Sequence, residues 1–483
     1  MSLFEIPSPA GLPVGAGWVA PAAVAPVRFP YDGSQVAAGP VGDVTIARAA
    51  LDAAVGVADR MASLPSHVRR AALLGARDAL AARRAEFERL LVLETGKPLV
   101  DCRTEVSRTL VTLETAAEEV ARLHGETVPL DLLPSGEGLI GFWTRRPIGV
   151  VVGIAGFNYP LLLATHKIAP AVAAGCPVVC KPAPQTPLAT LWLAHLLREA
   201  GAVVGLPTEA VQVVTGDARV GEALVTDRRI GAVSFTGSAA VGHTIARAAA
   251  PTKVLLELGS NAALVVAADA DLPAAADAVV RGGYYASGQA CISVQRVLVE
   301  AAVADEFLGL LADRVAAIPV GDPREESTRV APLIDARATE RVRRWVDDAV
   351  GRGARLVVDG ARPDGLLGPI VLADVPDGLE VWDEEVFGPV VCVRTVPDID
   401  AALDEVNRSR YGLHASVYTR SLATAFAAVE RLQVGGVVVN EVPGFRADNM
   451  PYGGVKDSGI GREGPRFAVE ELTVTRMAII RPA

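Results

Sequence analysis

The feature that most constrains this chain is a regular alternation beginning near residue 148. IGVVVGIAGF, a continuous apolar run closing in small residues, is the pattern of a buried parallel strand. A helical stretch follows at 160–174, then CPVVCKPA as a strand and PLATLWLAHLLREAG as its helix. AVQVVTG, IGAVSFTGS and TKVLLELG continue the series, with helices between them. Repeated strand–helix–strand units predict a parallel sheet covered by helices on both faces.

A second series runs from about 258 to 440. Its strands are NAALVVA, VQRVLVE, RLVVDG, GPIVLAD, VVCVRTV, ASVYTR and VGGVVVN, with Ala-rich helices between. Two α/β domains suit a chain of 483 residues, at roughly 100–200 residues per domain. Ahead of them, 43–94 carries apolar residues at i, i+3, i+4 and i+7, and 104–123 repeats that amphipathic-helix pattern. Short β-like pieces fill 124–147, and the tail 466–483 ends in TRMAII, which is expected to pair with them. Residues 1–40, rich in Pro, Gly, Ala and Val, read as a loosely structured arm lying on the body.

Composition narrows the partners. Hydrophobic residues at 51% and charged residues at 21% exclude intrinsic disorder. A net charge of −10 argues against a nucleic-acid partner, which needs a basic face. No apolar run approaches the ~20 residues of a membrane span. Residues 1–27 hold no Lys or Arg and so lack the charged start of a secretory signal. Cysteines 102, 176, 180, 291 and 392 are too sparse for a disulfide framework, so a reducing cytoplasm is expected. Cys176 and Cys180 have no second Cys/His pair nearby, and no metal is expected. Of 46 basic residues only Lys97, Lys167, Lys181, Lys253 and Lys456 are lysines; the other 41 are arginines. Arginine can replace lysine over most of a solvated surface. A position that keeps lysine here therefore draws attention.

Ligands of open α/β sheets usually sit at the strands' carboxyl ends. Phe157-Asn158-Tyr159-Pro160, Lys181-Pro182, Phe235-Thr236-Gly237-Ser238 and Glu257-Leu258-Gly259 all fall there. Four polar strand ends in register suggest one binding face. No G-x-x-x-x-G-K-[ST] phosphate loop is present. Thr236-Gly237-Ser238 opening a helix offers N-terminal N–H groups to a phosphate instead. Cys291, beside the Ser287-Gly288 turn signal, is expected on a connection rather than in a core. A structural thiol and a nucleophile are both open readings there.

These blocks resemble the aldehyde dehydrogenase superfamily over nearly the whole chain. The residues carrying the resemblance are FNYP at 157–160, CKPAPQTP at 180–187, FTGS at 235–238, LELGSN at 256–261, GQAC at 288–291, EEVFGPV at 384–390 and MPYGGVKDSGIGREG at 450–464. HKIAPA at 166–171, CISVQR at 291–296 and GFRADNMPYGG at 444–454 are most similar to the lactaldehyde and phosphonoaldehyde dehydrogenase group. The resemblance implies an α/β fold with a Rossmann-type cofactor domain (1–123 and 148–256). It adds an α/β catalytic domain (257–447) and a small β oligomerisation projection (124–147 with 468–483).

It further implies that Cys291 attacks the aldehyde and that Asn158, with the Cys291 N–H, stabilises the oxyanion. Glu257 would be the general base that activates water against the thioester. Cofactor contacts would come from Ile154, Ala155, Gly156, Phe157, Lys181, Gln185, Gly237, Ser238, Val241, Leu258, Glu385 and Phe387. Many NAD-preferring relatives carry Glu where this chain has Pro184. Without that carboxylate a 2′-phosphate meets no repulsion, so NAD or NADP is expected.

The resemblance places Arg108, Tyr159, Leu162, His166, Ala290, Ile292, Phe445 and Arg446 at the substrate tunnel. Arg108 and Arg446 together would favour an anionic aldehyde. Ala290 stands where relatives using phosphorylated or phosphonylated aldehydes often carry arginine. A small polar aldehyde of the lactaldehyde kind and a phosphonoaldehyde both stay open, with a semialdehyde behind them. Transfer of the acyl group to coenzyme A is disfavoured by Glu257, and an inactive binding protein by the full set of catalytic residues. A homodimer or homotetramer is expected through the projection, where Ile479 and Ile480 are apolar near the terminus.

Overall fold

The computed structural model describes residues 11–360 and 365–482. The first series forms a six-stranded sheet, ordered Gly459–Ile460, Lys253–Glu257, Ile230–Thr236, Val150–Ile154, Val178–Lys181 and Val211–Val213. The strands of the series itself are parallel. The edge strand Gly459–Ile460 is antiparallel and comes from far along the chain. It places Gly459 opposite Glu257, which brings the 450–464 block to the end of the sheet. A purely parallel sheet was expected, and this edge is the difference. Its two residues, within a glycine-rich loop, carry no strand signal of their own.

The second series forms a seven-stranded sheet, ordered Arg355–Asp359, Ile370–Ala373, Val390–Val396, Arg296–Glu300, Ala263–Val266, His414–Tyr418 and Gly436–Val439. Only Arg355–Asp359 runs antiparallel among these strands. Successive side chains alternate between the faces. Val265 and Leu298 enter one apolar cluster, whereas Leu264, Val266, Val297 and Val299 enter another on the opposite face. Both faces are therefore covered, as the uninterrupted apolar strands require.

The amphipathic stretch at 43–94 is three helices, Val44–Ala62, Ser66–Ala82 and Arg84–Thr95, followed by Leu99–Glu119. Asp43 caps the first by accepting the Ile46 N–H at 2.9 Å. Gly96, left-handed at φ 71°, ends the third, and Pro98 opens the fourth. The tail strand Thr473–Ile480 pairs antiparallel with Ile140–Pro147, with Ile480 opposite Ile140, as expected from the sequence.

The N-terminal arm is more ordered than expected. Ala23–Arg28 and Gln35–Val41 pair antiparallel around a turn in which Asp32 accepts the Ser34 N–H at 2.9 Å. Val24, Val27 and Val36 give these strands β-branched residues that outweigh the local Pro and Gly. The first ten residues of that arm lie outside the described residues. Among the described residues no helix is long and apolar enough to cross a membrane.

Candidate active site

A cavity of about 590 Å³ receives residues from both series. Cys291 lines it, on the connection between helix Leu272–Tyr284 and strand Arg296–Glu300. Three consecutive left-handed residues lead to it: Ala286 (φ 48°), Ser287 (φ 56°) and Gly288 (φ 73°). Such geometry is costly for Ala and Ser and persists only where contacts impose it. Asp101 accepts the Ala286 N–H at 2.9 Å, and Ser287 is bonded to the Ala331 backbone in both directions. A Cβ at Gly288 would stand 2.1 Å from the Gly388 carbonyl oxygen, so this position requires glycine.

Burial pushes the Cys291 thiol up to about 12, although the Tyr452 hydroxyl, 3.4 Å from Sγ, pulls it down. The Cys291 backbone N–H donates to no group among the described residues. Asn158 stands between strand Val150–Ile154 and helix Pro160–Ala174, and its Nδ2 donates to the Gln289 carbonyl at 2.8 Å. An amide nitrogen carries two hydrogens, so one remains for a group in the cavity that Asn158 lines.

Glu257 ends its strand at the cavity wall, and its Oε2 is buried without a hydrogen-bond partner. Gly453 (φ 156°) makes room for it, since a Cβ there would lie 2.9 Å from Oε1. Burial, with the Glu463 carboxylate beside it, pushes Glu257 well above the ordinary range. Burial also opposes charge on Glu463, yet the buried Lys167 ammonium bonded to it and His166 hold it well below that range. Two neighbouring carboxylates thus part company, the lysine-paired one ionised and Glu257 holding its proton more tightly.

Positive charge lies beside these carboxylates. Arg108 grips Asp448 through two bonds of 2.7 and 3.1 Å. Burial disfavours the Asp448 carboxylate, but His166 and Arg108 hold it well below the usual range. His166 lies 3.2 Å from Glu463 and 3.8 Å from Asp448. Arg446 differs. Its side chain is only 6% exposed, with Nη2 3.5 Å from Glu463 and Nε 4.0 Å from Asp448. Neither nitrogen makes a hydrogen bond, and the guanidinium stacks 3.8 Å from the Tyr452 ring centroid. Both arginines expected to favour an anion line the cavity, but they differ: Arg108 is committed to Asp448, whereas two nitrogens of Arg446 make no hydrogen bond.

Gly156, Phe157, Tyr159, Leu162, Gly237, Ser238, Leu258, Ala290, Ile292, Glu385 and Phe387 also line the cavity. Phe445 does not, and it is 52% exposed. Ile154, Ala155, Lys181, Gln185 and Val241 lie outside that wall, with Ile154 opposite Lys181 in the sheet register. The groove among these groups suits a dinucleotide. Ser238 precedes helix Ala239–Ala249 without a side-chain capping bond, and the buried Thr236 Oγ1 has no partner. Lys181 is buried, which lowers its pKa, and its ammonium bonds no group among the described residues. Burial raises Glu385 to about 7 against the Ser260 N–H it accepts at 3.0 Å. Phe387, at φ 50°, meets Phe157 edge to face at 5.7 Å.

Sequence reasoning missed Tyr452, Asp448, Glu463 and Lys167 as parts of the site. Each had a signal. Tyr452 and Glu463 lie in the 450–464 block, Asp448 in 444–454, and Lys167 among the rare lysines.

The model of the aldehyde dehydrogenase family matches residues 18–478. The chain belongs to this family. This aldehyde dehydrogenase is 42% identical over 409 residues to 3-sulfolactaldehyde dehydrogenase of Priestia megaterium, covering 84% of this chain and 85% of the relative. It is 35% identical over 436 residues to lactaldehyde dehydrogenase of Methanocaldococcus jannaschii, covering 90% and 92%. Aldehyde dehydrogenase 21 of Physcomitrella patens, solved with the reaction product succinate, matches at TM-score 0.93 and 36% identity, covering 98% of each chain. The NADP-dependent glyceraldehyde-3-phosphate dehydrogenase of Bacillus halodurans, solved with NADP, matches at TM-score 0.93 and 33% identity, covering 98% and 99%. An NAD-dependent aldehyde dehydrogenase of Sinorhizobium meliloti matches at TM-score 0.92 and 32% identity, covering 99% and 96%. The protein is an NAD(P)-dependent oxidoreductase acting on an aldehyde group.

Proposed function

We propose that this enzyme oxidises a small hydroxyaldehyde bearing an anionic group, of the sulfolactaldehyde kind, to its carboxylate. The observation that carries this reading is Arg446, a buried guanidinium beside Tyr452 with two nitrogens that make no hydrogen bond and meet carboxylates only at 3.5 and 4.0 Å. Buried donors left unpaired are costly, and an anion in the cavity satisfies them. One unmet guanidinium suits a monoanion such as a sulfonate or carboxylate. A phosphonate brings more charge, Ala290 adds no cation beside the cysteine, and the relatives named above are a 3-sulfolactaldehyde and a lactaldehyde dehydrogenase. A neutral lactaldehyde is the second reading, supported by the lactaldehyde relative.

Cys291 is the nucleophile. Its thiolate attacks the carbonyl carbon, and the oxyanion accepts the free hydrogen of Asn158 Nδ2 and the Cys291 N–H. Collapse of the oxyanion expels the aldehyde hydrogen as hydride and leaves the Cys291 thioester; a dinucleotide, when bound, would accept that hydride. Lys181 and Gln185 serve its adenosine ribose, Ser238 at the helix start its pyrophosphate, and Leu258, Glu385 and Phe387 its nicotinamide end. Glu257, poised as a base by burial, takes a proton from the water that cleaves the Cys291 thioester. Glu463, kept ionised by Lys167, favours the proton resting on Glu257.

The chain divides into a cofactor domain (1–123 and 148–256), a catalytic domain (257–447) and a projection (124–147 with 468–483). That division is supported by the six-stranded sheet, the seven-stranded sheet and a three-stranded sheet that joins Glu126–Thr127, Ile140–Pro147 and Thr473–Ile480. Ile140, Ile479 and Ile480, half exposed on the small sheet, support assembly of two or four copies through it. Five unpaired thiols suit a reducing cytoplasm.

The deciding experiment compares kcat/KM for 3-sulfolactaldehyde and lactaldehyde in the native enzyme and in Arg446→Met. The native enzyme favours the sulfonate, and Arg446→Met lowers that kcat/KM by roughly 10- to 100-fold with little change for lactaldehyde. Equal losses on both aldehydes would sink the anionic reading.

A further inference from the structure

Lys97 and Glu105 form an ion pair whose side chains are 3% and 0% exposed, and the chemistry above uses neither. The kink between Gly96 and Pro98 turns Lys97 inward. Its Nζ bonds Glu105 and donates to the Asn158 carbonyl at 2.8 Å, lying 3.6 Å from the Tyr159 ring centroid. Glu105 Oε1 accepts the N–H groups of Leu161 (2.9 Å) and Leu162 (3.1 Å), in the first turn of helix Pro160–Ala174. The pair therefore holds residue 158 by its carbonyl and the following helix by its first amides.

We propose that the Lys97–Glu105 pair positions the Asn158 amide against the Cys291 loop, and so sets the geometry of the oxyanion site. The inference rests on the reading of Asn158 as an oxyanion donor. An apolar pair of similar volume is often no less stable than a buried ion pair, so stability alone does not explain these charges. Their use lies in what they hold. Asn158 sits in a strand-to-helix bend with Tyr159 outside helical geometry (φ −135°, ψ 62°), where the neighbouring backbone restrains it little. Helix Leu99–Glu119, which carries Glu105, also holds the left-handed segment that leads to Cys291. Its Asp101 accepts the Ala286 N–H at 2.9 Å, and its Leu99 N–H donates to the Pro323 carbonyl at 2.9 Å. One rigid element thereby gauges the distance between donor and thiol.

The test is a double-mutant cycle on kcat/KM, using whichever of 3-sulfolactaldehyde and lactaldehyde is the better substrate. Lys97→Met/Glu105→Gln removes both charges together and leaves neither alone in the core. It lowers kcat/KM by roughly 10- to 100-fold, the scale of a misplacement near 1 Å, while the cofactor KM holds. Placed in an Asn158→Ala background, the same two changes cost less than about twofold more, because groups acting through one residue are not additive. An equal factor in both backgrounds overturns the proposal. An Asn158→Ala enzyme with native kcat/KM overturns the reading of Asn158 instead. If the doubly changed chain does not fold, Glu105→Gln alone enters the same cycle: a loss that vanishes in the Asn158→Ala background supports the proposal, and an equal loss in both overturns it.

Discussion

Arg108 and Asp448, 340 positions apart in sequence, meet through two nearly parallel hydrogen bonds, Nη2 to Oδ1 and Nε to Oδ2. The clamp fixes the loop that carries Arg446 against helix Leu99–Glu119, and it cancels one of the two positive charges facing the cavity.

Arg108→Met therefore acts on the fold before it acts on specificity. It takes from Asp448, 5% exposed, its only bidentate partner and leaves Arg446 4.0 Å away, a loss of roughly 3 kcal/mol. Denaturant unfolding shows that loss, and kcat/KM falls by a similar factor for charged and neutral aldehydes. A loss confined to the anionic aldehyde contradicts the clamp.

Titration of Cys291 is expected to be steep. With its thiol pushed up to about 12, alkylation by iodoacetamide without cofactor rises about tenfold per pH unit from 7 to 9, with no plateau. Tyr452→Phe removes the hydroxyl that favours the thiolate and slows labelling. Cys102, Cys176, Cys180 and Cys392 are buried and stay unlabelled in the folded protein. A plateau below pH 8 contradicts the burial argument.

Glu385 links stability to pH. Its pKa rises from 4.5 unfolded to about 7 folded, so between these values the native state binds the extra proton. Stability from this group is present below about pH 4.5 and is lost as pH rises through about 7. Glu385→Gln keeps an acceptor for Ser260 and removes the titration. Urea unfolding at pH 5, 6, 7 and 8 is expected to give a smaller decline in the variant than in the native chain.

Cofactor choice is tested at Pro184, which is exposed. Pro184→Glu sets a carboxylate where a 2′-phosphate would sit, and kcat/KM with NADP drops about tenfold or more while NAD is spared. Unchanged NADP kinetics places the ribose elsewhere.

Much of the fold was legible. Strands of both series fall within the runs read from apolarity, save that one begins at His414, a residue ahead of ASVYTR, and the helix at 160–174 is Pro160–Ala174. Period and turn chemistry are local, so the chain displays them. The ion pairs of the site are not local. Lys167 meets Glu463 across 296 positions, from a helix face that otherwise reads as uniformly apolar. The hairpin at 23–41 was hidden for another reason, since Pro26, Pro30, Gly33, Gly39 and Pro40 break up its strand signal while its valines decided the pairing. Arg446 was legible as a residue, but its unmet donors depend on where Asp448 and Glu463 stand.

The scarcity of lysine also has a practical consequence. Lys97, Lys167 and Lys181 are buried, Lys253 is tied to Glu471, and Lys456 donates to the carbonyls of Asn407 and Ser409. Among the lysines, amine-directed reagents therefore meet almost nothing but Lys253 and Lys456. A surface this poor in amines makes succinimidyl cross-linking nearly blind to the molecule, whereas guanidinium-directed labels would cover most of it. A protein map drawn with amine chemistry would report on two patches and mistake silence elsewhere for protection.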